Sequence, residues 1–225
     1  MLELFLYLHI VLMVFWLGGD LGVFYSSRFV IDPSLTPAAR LTALKIMSGL
    51  DLGPKICLIL FLPSGLTLIA LDSHGASLPG WLPVPAWIGA AAWVWLMYTD
   101  HHEPGKHPLV RRLDWLVRIA VIAGMAGAGL YTLVASRPFG VDTNPRWLGA
   151  KVLLYALAIA AGLGIRRTLR PFGAAFGTVM GGAAGTATET VLRRSVNGCL
   201  PYVWTIWISV LAAGLLGVAK PLANL

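Results

Sequence analysis

Charged residues make up only 12% of this 225-residue sequence and hydrophobic ones 57%, whereas a soluble domain carries roughly a quarter of its residues charged. Water is therefore not the main solvent of the chain. Cysteine is sparse as well. Cys57 and Cys199 form no CxxC, no CxxCH and no zinc spacing, which excludes thiol redox motifs and covalently attached haem. Both read as small packing residues. No P-loop, dinucleotide fingerprint or nucleophile elbow occurs. The first apolar run lacks a basic leader and a small-residue cleavage pattern, so a cleaved signal peptide is not expected. No internal repeat or low-complexity linker divides the sequence, which reads as a single transmembrane domain over residues 1–225. The net charge of +7 suits nucleic acid, anionic lipid or membrane topology. The cations lie between apolar runs and not in one patch, so topology is the reading and no nucleic-acid partner is expected.

What the sequence has in quantity is long apolar stretches. Six approach the roughly 20 residues needed to cross a hydrocarbon core of about 30 Å, near 2–24, 53–72, 84–99, 113–135, 147–165 and 199–221. The expected fold is an all-α, polytopic integral membrane helix bundle of about six transmembrane helices in the lipid bilayer. The third stretch is the shortest. Ala39 to Asp51 reads as an amphipathic lead-in or cytoplasmic extension of the second. Residues 166–198 are Gly/Ala-rich and too weakly apolar for a seventh span, and a short surface helix is expected around Thr186 to Ser195. Twelve Lys and Arg lie on the face with the first, third and fifth connections, against Arg137, Arg146 and Lys220 on the other. This asymmetry places both termini away from the cytoplasm. Trp81, Trp87 and Trp147 fall near span ends, where indole suits the headgroup layer.

Chemistry is sought among groups that are costly in lipid. His9, Asp20, Arg118 and Lys151 lie inside expected spans, and an ionisable side chain at mid-bilayer costs roughly 2.5–3.5 kcal/mol on insertion scales. His9 and Lys151 fall in the outer leaflet. Asp20, Arg118 and Lys55 fall at a common inner depth and read as charge neutralisation. His9, Met13, Trp16 and Asp20 recur at spacings of four, three and four, one stripe along a helix turned away from lipid. Lys151 and Tyr155, four apart, share a face of the fifth span. A neutral imidazole binds haem iron or copper, and a lysine beside it neutralises a propionate, acts as an acid or, deprotonated, ligates iron. The bland alternative for His9 is a helix-to-helix hydrogen bond.

Two other groups need weighing. His101, His102 and His107, with Asp100 and Glu103, are the densest set of potential metal ligands, but Pro104, Gly105 and Pro108 mark an irregular turn, and a solvated polar loop is expected. Gly124, Gly127 and Gly129 are expected to permit close helix packing.

The run LHIVLMVFWLGGDLGVFYSSRFVI, Leu8 to Ile31, resembles the first helix of the HemJ-type protoporphyrinogen IX oxidases: a His, a Trp seven residues on, small residues, then Phe-Tyr-x-x-Arg. Arg193-Arg194-x-x-Asn197-x-x-x-Pro201 and Lys220-Pro221 resemble the start and end of the family's last helix, and Trp147-Leu-Gly-Ala-Lys151-Val-Leu-Leu its lysine-bearing helix. That stretch, with Gly129 to Pro171, is also similar to the core of CopD-type copper-resistance membrane proteins. The resemblance implies b-type haem. It places a required histidine on His9, an iron ligand, and a required lysine on Lys151. His9, Trp16 and Lys151 are thus the candidate cofactor-binding residues, and Lys151 and Tyr155 the candidate catalytic ones. Departures are visible. HemJ-type proteins usually have four spans, and two more are present near 84–99 and 113–135. Three residues are added between Trp16 and Phe24, and Gly198 stands where the family carries Glu.

Three functions are open to the sequence. One is a haem b-binding membrane oxidoreductase, HemJ-like, acting on a porphyrinogen or quinone in a bacterial-type inner membrane. Another is CopD-like copper transport or resistance. The third is an accessory transmembrane subunit without catalysis, packed against other membrane subunits or further copies of itself.

Overall fold

A helix keeps its backbone N–H and C=O groups in internal bonds, the condition that lipid imposes on any spanning segment. The computed structural model describes residues 1–71, 78–136, 138, 146–183 and 185–219, and among these it contains eight α-helices and no strand. They are α1 (Leu2–Val30), α2 (Pro37–Leu71), α3 (Pro83–His102), α4 (Pro108–Val134), α5 (Arg146–Thr168), α6 (Phe172–Met180), α7 (Thr186–Asn197) and α8 (Leu200–Ala219). Five stretches are long and apolar enough to cross a membrane: α1, α2, α4, α5, and α8 taken with α7. The outward faces agree with this, since Leu215 and Val218 are 68% and 87% exposed, a surface that only lipid or another apolar partner suits. The chain is a multi-pass membrane protein.

Each expected apolar stretch falls on one helix, α1, α2, α3, α4, α5 or α8. The helix over the third stretch, α3, is not among the five, because prolines and tryptophans dilute its apolar content. Ala39 to Asp51 is continuous with the second span inside α2. Residues 166–198 hold two helices: α7 lies where a surface helix was expected, and α6 was not anticipated. Arg137, Lys220 and Pro221 lie outside the described residues.

Local chemistry sets the helix ends. Pro83 and Pro108 open α3 and α4 at positions whose N–H would have no intrahelical partner. The Thr36 hydroxyl accepts the Ala39 N–H at 3.3 Å before α2. Gly105, at φ 84°, makes the turn between α3 and α4, a backbone conformation that other residues rarely adopt. Pro54 and Pro63 lie inside α2 and release the carbonyls of Leu50 and Ile59.

Packing joins α1 to α2, α2 to α3, α3 to α4, α4 to α5 and α5 to α8. One hydrophobic core runs through these six helices, with Trp16, Ile59, Trp93, Met97, Ile159 and Val210 among its buried members. A second, smaller core forms at the basic end, where Val30 of α1, the start of α2, α6 and α7 meet around Leu192 and Phe176. Helices of 29 and 35 residues reach about 43 and 52 Å at 1.5 Å per residue, longer than a hydrocarbon core of about 30 Å. The excess of α1 and α2 forms this cap. Buried Arg40 locks it: its guanidinium donates to both Glu189 carboxylate oxygens of α7, at 2.7 and 3.0 Å, and to the Val30 carbonyl at 2.8 Å.

Candidate functional site

The His9 stripe of α1 faces the protein interior. His9 and Trp16 are buried and Met13 is half-buried, while Ile10, Val14 and Phe15 on the other side of the helix are exposed. Opposite lies α2. The His9 Nδ1 is 2.8 Å from the Ser64 Oγ, and that hydroxyl is 2.8 Å from the Leu60 carbonyl and 3.1 Å from that of Phe61. A serine has one hydrogen to give. Donated to the helix carbonyl behind it, the Ser64 hydroxyl must accept from His9 Nδ1–H, which makes Nε2 the nitrogen with the lone pair. The Phe61 ring lies between the two aromatic groups of the stripe, 4.4 Å from the His9 ring and 5.4 Å from that of Trp16. Gly65 leaves room for the imidazole, since a Cβ there would stand 3.7 Å from His9 Cε1.

Lys151 of α5 lies within electrostatic reach of His9. Its Nζ crosses α8 at Gly217, where a Cβ would come within 2.7 Å of it, and a Cβ on Gly214 of the same helix would stand 2.9 Å from Met13 Sδ. Two glycines about one turn apart thus open α8 to side chains of α1 and α5. Tyr155 goes elsewhere. Its hydroxyl donates to the Leu58 carbonyl of α2 at 2.7 Å, deeper in the bundle and next to the stretch that Pro63 unties. His9 and Trp16 thus share the Phe61 ring, Lys151 lies against α8, and Tyr155 bonds α2. Ser64 and Phe61 were missed by sequence reasoning. The phrase Pro63-Ser64-Gly65 in the middle of an apolar run was the available signal.

The inner charge set differs from expectation. Asp20 does not neutralise Arg118. Asp114, fully buried, accepts from Arg118 Nε at 3.0 Å, Arg166 Nη1 at 2.8 Å and Trp93 Nε1 at 2.9 Å, so one carboxylate joins α3, α4 and α5. The reason is azimuth: Asp20 faces α2, whereas α4 packs on α5 and α3. Lys55 does lie with Asp20, but its direct ion pair is with Asp51 one turn before it.

The loop histidines diverge. His107 Nε2 pairs with Glu103 at 2.6 Å, His102 Nδ1 donates to the Tyr98 carbonyl at 3.1 Å, and His101 Nδ1 lies 3.4 Å from Lys55 Nζ. Among the described residues, no three His, Cys, Asp or Glu side chains gather to hold a metal ion. Of the glycines expected to seat helices, only Gly129 does: its Cβ would meet Leu153 at 2.7 Å and the Gly149 carbonyl at 3.0 Å, while Gly124 and Gly127 face open space. Trp87 turns inward and donates to Thr67 at 3.0 Å, and Trp81 is exposed. Cys57 and Cys199 are buried, in keeping with packing roles.

Comparison with family models, curated proteins and solved structures finds no match to this chain.

Proposed function

We propose that the protein is a haem b-binding membrane oxidoreductase of HemJ-like type. On this reading α3 is the sixth span, both termini lie outside the cytoplasm and the membrane is a bacterial-type inner membrane. The observation that carries the proposal is the Ser64 anchor of His9, which presents a lone pair at Nε2 within the electrostatic field of Lys151.

The residues present suit a haem. His9 would hold the iron through Nε2, with Ser64 fixing the tautomer as the outer hydrogen-bond partner of a ligating histidine commonly does. Lys151 would hold a propionate or give a proton beside it, and Gly217 lets its ammonium lie close against α8. Haem would supply one-electron transfer from a porphyrinogen or quinone. Phe61 packs between the His9 and Trp16 rings and would hold both in place. Tyr155, tied to α2, fixes α5 so that Lys151 keeps its height.

A second reading has support from the same bond. His9 to Ser64 is also a tie between α1 and α2, as an accessory subunit without chemistry would need. The reduced-minus-oxidised optical spectrum of protein purified from haem-replete cells separates the two. A b-type Soret and α-band difference is expected, and folded protein without one favours the accessory role.

A further inference from the structure

At the basic end of the bundle Arg28 of α1 is an exposed cation that, among the described residues, forms no ion pair. The carboxylates nearest to it in the chain and the cap are committed elsewhere. Asp32, four residues on, accepts the Ser34 N–H at 2.9 Å and the Ser34 hydroxyl at 2.7 Å, and Glu189 of α7 is held by Arg40. Arg193 and Arg194 of α7 are exposed and also form no ion pair among the described residues, so the surplus at this end is positive. Phe24 ends the first apolar stretch, and Arg28 stands about 6 Å beyond it along the helix, inside the headgroup layer that adds about 5–8 Å to each side of the hydrocarbon core. The guanidinium lies back over the Phe24 ring, 4.8 Å from its centroid.

Phe24 also starts a row of rings that crosses from α1 to α8. It meets Trp207 edge-on at 5.5 Å, and Trp207 meets Trp204 at 5.2 Å. Trp204 is 54% exposed, and Tyr25, three residues before Arg28, is exposed as well. Since α1 packs mainly on α2 and α8 mainly on α5, the rings bridge a side of the bundle where the two helices meet little. Farther from the basic end the outward surface turns aliphatic, with Leu21 of α1 and Ile208 and Leu211 of α8 exposed. The surface thus runs from cation through aromatic to aliphatic, the order in which a phospholipid presents phosphate, ester and acyl chain.

We propose that Arg28 and the row of Phe24, Trp207 and Trp204 bind one anionic phospholipid. Arg28 holds the phosphate, because a guanidinium pairs with phosphate oxygens through charge-assisted hydrogen bonds. The rings lie at the glycerol and ester level, and the aliphatic surface beyond them receives the chains. A net negative headgroup is preferred to a zwitterionic one, since a choline group would add a cation to an end that already has a positive surplus. A carboxylate of a partner protein would answer Arg28 but not the graded surface that follows it. The site lies nineteen residues from His9, about 28 Å along α1, and does not depend on the haem reading.

Native mass spectrometry of the full-length protein tests this, with phosphatidylglycerol or phosphatidylcholine of the same acyl chains titrated into the detergent. The wild type should retain one phosphatidylglycerol more tightly than phosphatidylcholine. Arg28→Gln should weaken phosphatidylglycerol about fivefold, the contribution of one cation beside an anionic headgroup, and reduce the preference by the same factor. Arg111→Gln, which removes an exposed cation at the start of α4, should leave both lipids unchanged. No preference in the wild type, undiminished retention in Arg28→Gln, or an equal loss in Arg111→Gln would overturn the proposal, the last by showing a diffuse basic field. Displacement of the lipid by inorganic phosphate would overturn it too, as would a co-purifying protein that Arg28→Gln releases. If Arg28→Gln does not fold, tryptophan quenching of the wild type in nanodiscs decides. Brominated phosphatidylglycerol should quench more than brominated phosphatidylcholine, with the excess reduced in Trp204→Phe; no excess, or one untouched by that substitution, rejects the site.

Discussion

Asp114 shows how much one residue holds in this bundle. Its carboxylate is fully buried and takes donors from three helices. Replacing one partner of a buried ion pair leaves the other uncompensated, at a cost of about 3–5 kcal/mol. Asp114→Asn should therefore lower the thermal unfolding temperature in detergent markedly, whereas Glu103→Gln, in an exposed loop pair, should change it little. Equal effects would contradict the assignment. Asp114 was missed in the sequence, although it stands four residues before Arg118 on one helix face. The pairing of Arg118 with Asp20 rested on depth alone, and depth does not say which way a helix faces. His9 and Trp16 were legible for the opposite reason: their stripe gave the azimuth as well as the depth.

Among the elements, α4 and α5 meet where both lack a side chain. A Cβ on Gly149 would come 3.0 Å from the Gly129 carbonyl and 3.0 Å from Thr132 Cβ, and neither has room to give. Gly149→Val should cost about 1–3 kcal/mol through overpacking, and Gly124→Val, facing open space, should be near neutral, as read by thermal unfolding of the purified variants. A destabilised Gly124→Val with an unaffected Gly149→Val would contradict this seam. Composition announced that glycines would matter but not which ones, because contact depends on the partner helix. The helix α6 escaped the sequence reading for a related reason. Its Gly/Ala-rich run has little helical signal of its own, and it is held by Phe176 and Val179 packing under α7 against α2.

At the scale of the whole molecule, the membrane character was legible from composition and run length, and each expected span has its helix. The seating of the helices on one another was not, since the contacts between Tyr155 and Leu58 or Arg40 and Glu189 join residues 97 and 149 positions apart. Orientation is open to direct measurement. A reporter fused to the N-terminus should read as non-cytoplasmic, and one inserted between α6 and α7 as cytoplasmic; the reverse pattern would overturn the charge-based assignment. The haem reading rests on His9 and its bond to Ser64. It is tested most directly by the haem-to-protein ratio and optical spectrum of His9→Ala, measured beside the wild type in protein shown to be folded by its unfolding profile. Haem should be lost or its Soret band strongly shifted, because iron loses its ligand, with Ser64→Ala giving a smaller change. An unaltered spectrum and ratio in folded His9→Ala would contradict that reading, and His9 would then stand as a hydrogen bond between two helices.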